Sequence, residues 1–514
     1  LFVFISPTFA GQNKFITIVN PVRGNDFWQV SGQRPVDNLK KEWQLIGDKN
    51  LAVTWLVRPD AFEDSEVVSF FKNLPSNQEI GIFAEITPTW AKLAGVNYHQ
   101  NPNWHDAGSV FLTGYSVSER HKLIDSSFEN FKNIFGFYPK SVGAWWIDAG
   151  SLNYIKDKYG VVANMDVADQ YTTDNYKVWG QYLSTAFYPS KRNALIPASG
   201  EDSKIGLVTI QWATRDPFNS FGNGVLDSTF SVQANDYANP KYHSLNTDYF
   251  KKLLAIYLDN PYSDLNQVTI GLENDFSWKD FGAEFSNQLD VVVSRRLSGS
   301  QVLTMSDFGR RFKSLSPTNQ PQIILADDPL DSGGKVLWYQ TPKYRMGWFG
   351  NSDGSVIRDL RLYQNVDEPC LTVACSSLNL TMSEGKNLDE VAFGERWIID
   401  EGKTKSVSLR KLTNGVELSY INQAGQKRVI SFLPNDIKID RSSFPIPVAI
   451  EQAIDQNKNI KKVESNFSYV LKNGLGPVLV EQIKKLLVFL IFIALAFYLP
   501  GIAILKKTNL GENE

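Results

Sequence analysis

The sequence predicts an α/β fold: a barrel of parallel βα units, then a β-sandwich, then one C-terminal transmembrane helix. Three observations carry this. Residues 12–313 alternate short apolar strands with amphipathic helices, the rhythm of parallel βα units. Past a polar stretch at 314–322 (SLSPTNQPQ), read as a linker, the chain becomes β-rich. Residues 486–505 (LLVFLIFIALAFYLPGIAIL) carry no charge. At about 1.5 Å per residue they span about 30 Å, one hydrocarbon core.

The elements follow in order. "KFITIV" is a first strand, and "NLAVTWLVRP" a second that ends on a turn. "SEVVSFFKNL" spaces Val67, Val68, Phe70, Phe71 and Leu74 as one helical face. "EIGIFAEI" is the next strand. A long helix is predicted from an N-cap at Ser118, with Leu123, Ile124, Phe128, Phe131 and Phe135 inward and Gly136 closing it. "SVGAWWID", "VVANMDV", "IGLVTIQW" and "QVTIGLEN" continue the strands, with helices "SLNYIKDKYG" and "TDYFKKLLAIYLD" among them. The sandwich is predicted at 323–444, with turns at Asn414-Gly415 and Ala424-Gly425. Residues 445–483 read as a polar stalk, and 506–514 as a short tail. The opening 1–11 (LFVFISPTFAG) resembles the remnant of a secretory signal. With the span at 486–505 it places the main domains outside a single-pass membrane anchor. Lys484, Lys485, Lys506 and Lys507 flank both ends of that span, so charge alone leaves its orientation open.

A net charge of -3 gives no reason to expect nucleic acid. The 13 Trp, 20 Tyr and 32 Phe suit sugar-binding clefts, and equally a large core. Cys370 and Cys375 are the only cysteines. Two thiols cannot close a four-thiolate zinc site. A local disulfide suits an oxidising compartment, with two free thiols as the alternative.

Residues 50–167 resemble the polysaccharide deacetylase (NodB-like) family and its glycoside hydrolase relatives. "LAVTWLVRPD" and "EIGIFAEI" look like that family's second and third strands, and 118–164 like its helix, G-x-x-P turn, strand and following helix. The resemblance implies a distorted, seven-stranded βα-barrel and a divalent metal held by an aspartate after the first strand and two histidines after the third. Here the histidine positions hold Phe83 and Thr87, and the aspartates fall on or near Val19 and Asn20. No inherited metal site, and no cofactor, is expected. His99, His105 and Asp106 in a long loop form a remote metal alternative.

Without a metal, glycoside hydrolysis needs two carboxyl groups in contrasting surroundings. Strand-end acids are the candidates: Glu85, Asp148 and Glu273 for chemistry. Trp145, Trp146, Asp166, Asp169, Gln170, Trp179, Lys191 and Asp216 are candidates for holding a sugar. Each also has a plain reading as a helix cap, a turn acid or a packed ring. The aromatic, amide-rich stretch 169–193 suits a glycan-lining loop, or a loop packing its own rings. The expected function is a membrane-anchored, metal-independent hydrolase of an envelope or exported polysaccharide. The alternative is a non-catalytic glycan- or envelope-binding module.

Overall fold

The structure is a computed structural model. It describes residues 13–446, apart from 102, 104–105, 172–175, 184, 222–229, 238–244, 376 and 381–384, together with 461–463. The expected signal remnant and the apolar run 486–505 lie outside the described residues. Among the described residues no helix is long and apolar enough to cross a membrane.

The first domain is a barrel. Its strands are β1 (Asn13–Val22), β2 (Val53–Val57), β3 (Gln78–Phe83), β4 (Ser141–Gly143), β5 (Ala163–Val167), a side strand β6 (Tyr176–Val178), β7 (Val208–Trp212) and β8 (Leu265–Ile270), with β9 (Gln301–Leu303) beside β1. They run parallel in the order β7-β5-β4-β3-β2-β1-β8. The ring closes between β7 and β8 through the Thr214 amide, which donates to Thr269 O at 3.3 Å, and the Thr269 amide, which donates to Thr214 Oγ1 at 3.1 Å. Trp212 Nε1 reaches Val19 O on β1 at 2.9 Å.

The helices, in chain order, are α1 (Pro35–Asp48), α2 (Ser65–Lys72), α3 (Pro88–Leu93), α4 (Ala107–Val110), α5 (Val117–Phe135), α6 (Ala149–Tyr159), α7 (Ala234–Tyr237), α8 (Thr247–Leu258), α9 (Trp278–Leu297), α10 (Met305–Leu315) and α11 (Glu390–Phe393). The α5 cap is Ser116, not Ser118. A Glu three residues on completes a capping box there, and Ser118 has no equivalent. Gly136 ends α5 at φ 85°, a conformation that suits glycine.

Helix α10 seals the N-terminal end of the barrel. Its first amides are held from inside: Met305 N donates to Thr54 Oγ1 at 2.8 Å and Ser306 N to Glu79 at 3.0 Å. Phe308 packs on Phe15 at 5.5 Å. The strands' C-terminal ends therefore form the end available for a site.

The second domain has two antiparallel sheets. The first contains β10 (Gln322–Asp327), β11 (Lys335–Gln340), β12 (Tyr344–Gly350), β13 (Gly354–Leu362), β15 (Lys386–Asp389), β16 (Arg396–Glu401) and β22 (Lys461–Val463), while β14 (Leu378–Leu380) pairs with β6 of the barrel. The second contains β17 (Lys405–Leu412), β18 (Gly415–Ile421), β19 (Lys427–Leu433), β20 (Asp436–Ile439) and β21 (Ser442–Pro445). Strand β22 falls within the segment read as a stalk and joins the sheet instead. Strand β11 shows why its sequence is apolar without alternation. Val336 and Trp338 enter the barrel core, while Leu337 and Tyr339 enter the core between the sheets. The first sheet is thus a middle layer, buried on both faces.

Cys370 and Cys375 form a disulfide. Its loop docks on the barrel, where Arg120 donates to Cys370 O at 3.0 Å and the Cys375 amide to Thr113 O at 2.7 Å.

Candidate functional site

Strands β1 and β2 end alike: Val22-Arg23 and Val57-Arg58. Both arginines fold over the barrel mouth. Gly24 lets the turn after β1 lie against the turn after β2; a Cβ there would meet Ala61 N at 2.5 Å. Asn274 aligns the turn after β8. Its amide donates to Pro21 O at 3.2 Å, its Oδ1 accepts from Arg23 N at 2.8 Å, and its Nδ2 donates to Arg23 O at 3.1 Å. Glu273 and Asp275, on either side of it, are thereby presented to Arg23.

The result is an ion cluster around Arg23. Its Nε and Nη2 grip both oxygens of Glu85 at 2.9 and 3.1 Å. Its Nη1 donates to Glu273 and to Asp275, each at 2.6 Å. Arg58 holds the same Glu85 at 2.7 Å and Asp60 at 2.6 Å. The guanidinium lies 5.9 Å from the Phe83 ring centre and 5.6 Å from that of Trp145. Phe83, Trp145 and Trp212 form a chain of rings beneath it, with centres 5.1 and 5.5 Å apart. Burial alone would raise the Glu85 pKa, but the two arginines outweigh it and hold it at about 2. Glu85 therefore stays ionised and cannot deliver a proton near neutral pH.

The cluster opens to solvent at one side. Glu85 side-chain exposure is 3%, against 21% for Asp275. Phe27, Trp28 and Phe276, on the turns after β1 and β8, are half-buried at this rim. Strand-end acids in the sequence point to Glu85 and Glu273, with Asp275 close behind, but not to Arg23, Arg58 or Asp60. The repeated Val-Arg at two adjacent strand ends was the available signal.

The other predicted residues lie elsewhere. Asp148 caps α6 through Ser151 N at 2.9 Å and pairs with Arg120 at 3.2 Å, fully buried. Glu368 from the second domain sits beside it, its pKa pushed well up by burial and then by Asp148. Asp166, with Asn164 on its own side of β5, is fully buried and pushed up to about 8 by burial. Trp146 is buried too. Asp169 faces the second domain, 2.6 Å from Arg345. Trp179 donates to Asp389 at 3.0 Å, and Gln170 is buried beside the same seam. The stretch 169–193 thus packs largely between the domains, where Tyr182 and Leu183 bond to residues 320 and 340. Lys191 is exposed and bonds to Asp202 O at 3.1 Å. Asp216 caps its own turn and accepts from Tyr249 at 2.8 Å.

The metal-ligand positions of the resembled family do not fit a metal. Phe83 has no donor atom. Thr87 Oγ1 caps α3, accepting from Trp90 N at 3.2 Å. Asn20 Nδ2 donates to Glu42 at 2.7 Å, and its Oδ1 accepts from Leu272 N at 3.3 Å. His99 is bonded to Gly108 O and stacked on Tyr115, Asp106 caps α4, and His105 lies outside the described residues. Among the described residues no group of three or more His, Cys, Asp or Glu is arranged to hold a metal ion. A cleft of about 730 Å³ lies at the opposite end of the barrel, between α10, the linker and the second domain, away from this cluster.

Barrel, sealed base and strand-end mouth define the class by its fold: a βα-barrel protein of the deacetylase-like shape, with a ring and a capping hydroxyl at Phe83 and Thr87. The profile of a family described as a domain of unknown function with a solved structure (DUF3863) matches residues 67–325, half of the chain, and the chain belongs to that family. Among solved structures, a protein of Parabacteroides distasonis described as a glycoside hydrolase/deacetylase is similar at a TM-score of 0.59 and 15% identity, over 74% of this chain and 92% of that one. This likeness shows the fold. One of Mycobacterium smegmatis described as a polysaccharide deacetylase matches at 0.37 and 12%, over 61% of this chain and 95% of that one. No curated protein matches the chain.

Proposed function

We propose that this chain is a carbohydrate-binding protein on a deacetylase-like barrel, gripping a polysaccharide at the strand-end mouth without acid–base chemistry. One observation carries the reading: Glu85 and Glu273, the acids best placed for catalysis, are both bound to Arg23. Ionised, buried carboxylates make rigid acceptors for sugar hydroxyls or for bridging water. The half-buried rings at the rim offer flat apolar faces. The proposal places the mouth outside a membrane, with 486–505 as a single-pass anchor.

The full chain in lipid nanodiscs, tested against envelope polysaccharides, should bind one of them saturably. Mass spectrometry should find neither shortened chains nor released acetate. Absence of binding to any of them rejects the reading. Carbonate extraction should leave the chain in the membrane fraction.

A second reading, a metal-independent hydrolase, is favoured by one geometric fact. Glu273 and Asp275 both lie 2.6 Å from the same Arg23 nitrogen. Those two oxygens therefore lie no more than about 5.2 Å apart, against about 5–5.5 Å between the carboxyl groups of retaining glycosidases. Chain shortening that disappears in Glu273→Gln would establish it.

A further inference from the structure

We infer that Arg23 is a built-in cation that takes over the charge-balancing work of a divalent metal in the mouth, and that its presence keeps metal out. The positions that would ligate a metal hold a phenylalanine ring and a helix-capping threonine. Beside that ring stands a guanidinium, ringed by three carboxylates from the ends of two strands. Glu85 meets it in a two-pronged grip, and Glu273 and Asp275 share its Nη1. Four of the guanidinium's five N–H groups donate to carboxylates, so the fork is used chiefly to neutralise acids, not to receive an anion from solution.

The chemistry suits the substitution. Three carboxylates converging on one point repel each other unless a cation sits among them. A hard divalent ion would serve, since carboxylate oxygens are its preferred ligands. Arginine serves the same purpose covalently, stays charged at any working pH, and its guanidinium carbon lies over the Phe83 and Trp145 rings. It cannot be removed by a chelator. Arg58, bound to Glu85 and Asp60, extends the arrangement but contacts neither Glu273 nor Asp275 in these pairings. The inference does not require glycan binding, and its readout is metal affinity, so the two can fail separately.

The test uses the full chain, stripped with chelator, and Mn²⁺ as the probe, followed by calorimetry and electron paramagnetic resonance. Wild type should show no saturable Mn²⁺ site in the micromolar range. Arg23→Ala should acquire one site per chain, at least tenfold tighter than any wild-type binding, and its melting temperature should rise with Mn²⁺ or with methylguanidinium. Arg23→Lys, which keeps a charge, should not acquire it. Arg23→Ala/Glu85→Gln should lose most of the gain. If Arg23→Ala folds poorly, its recovery on refolding should improve with Mn²⁺ or methylguanidinium relative to sodium. A folded Arg23→Ala that gains no Mn²⁺ affinity overturns the inference. So does an unfolded one that neither cation restores, or a wild type that already binds Mn²⁺ tightly.

Discussion

The barrel mouth and the seam between the domains are built from the same materials and differ in one respect. At the seam, Arg345 and Arg361 are enclosed by Asp169, Asp359 and Asp389. Side-chain exposure there runs from 0 to 5%. At the mouth, Arg23 and Arg58 are surrounded by Asp60, Glu85, Glu273 and Asp275, and exposure climbs to 21% at Asp275. A sealed network can only hold parts together. One that grades from sealed to open can hold its own geometry and still present an atom to a ligand. Buried charge alone therefore does not identify a site; the gradient does.

The largest expected effect is at the sealed network. Arg345→Met should destabilise the protein by about 3–5 kcal/mol, because it strands the buried Asp169 without its paired cation and leaves Asp359 with Arg361 alone. Urea unfolding measures this. A loss under about 1 kcal/mol would mean that water reaches the seam, and the contrast with the mouth would fail.

Glu85 should give a smaller loss with a pH signature. Its folded pKa lies at about 2, below the ordinary 4.5, so the ionised form favours the folded state. That contribution, about 3 kcal/mol by linkage, is complete above about pH 4.5 and fades as pH falls towards 2. Glu85→Gln should unfold more easily at pH 7 and lose little further between pH 4.5 and 2. Parallel wild-type and variant curves over that range would show that Glu85 is not held ionised.

Next comes the clip at the rim. Replacing Cys370 and Cys375 with serine should cost about 2 kcal/mol, the loop-closure value for so short a bridge. The loop also anchors Arg120, which pairs with Asp148. Protease cleavage within 366–375 should accelerate in the variant, while glycan binding at the mouth should hold. Loss of binding would extend the site across the rim.

How far the sequence showed this depends on what covers each strand end. The barrel rhythm was legible because apolar runs and amphipathic helices reflect local burial. The missing metal ligands were legible because Phe83 and Thr87 are single-residue facts. Which strand-end acids share a site was not legible. Asp169 and Asp216 end strands much as Glu273 does, but the second domain covers Asp169, and Asp216 bonds into its own turn and Tyr249. Pairing across 250 residues, as between Arg23 and Glu273, leaves no local periodicity to read. Arg23 and Arg58 were passed over because a search for catalysis looks for acids, while the mouth is organised by bases.

The smallest effect on stability should fall on Asp275, and there the comparison is sharpest. Its carboxylate is the most exposed of the four at the mouth, and Arg23 keeps Glu85 and Glu273 when it is neutralised. Asp275→Asn retains size and an acceptor oxygen, so folding should change by less than about 1 kcal/mol. Polysaccharide affinity should nevertheless fall at least about tenfold, since a charged acceptor at the open side becomes a neutral amide. Asp367, exposed and paired with Arg192 on the outer surface, is the control: Asp367→Asn should alter neither property. If Asp275→Asn and Asp367→Asn behave alike in binding, the open side of the mouth is ordinary surface, and its network is as structural as the one at the seam.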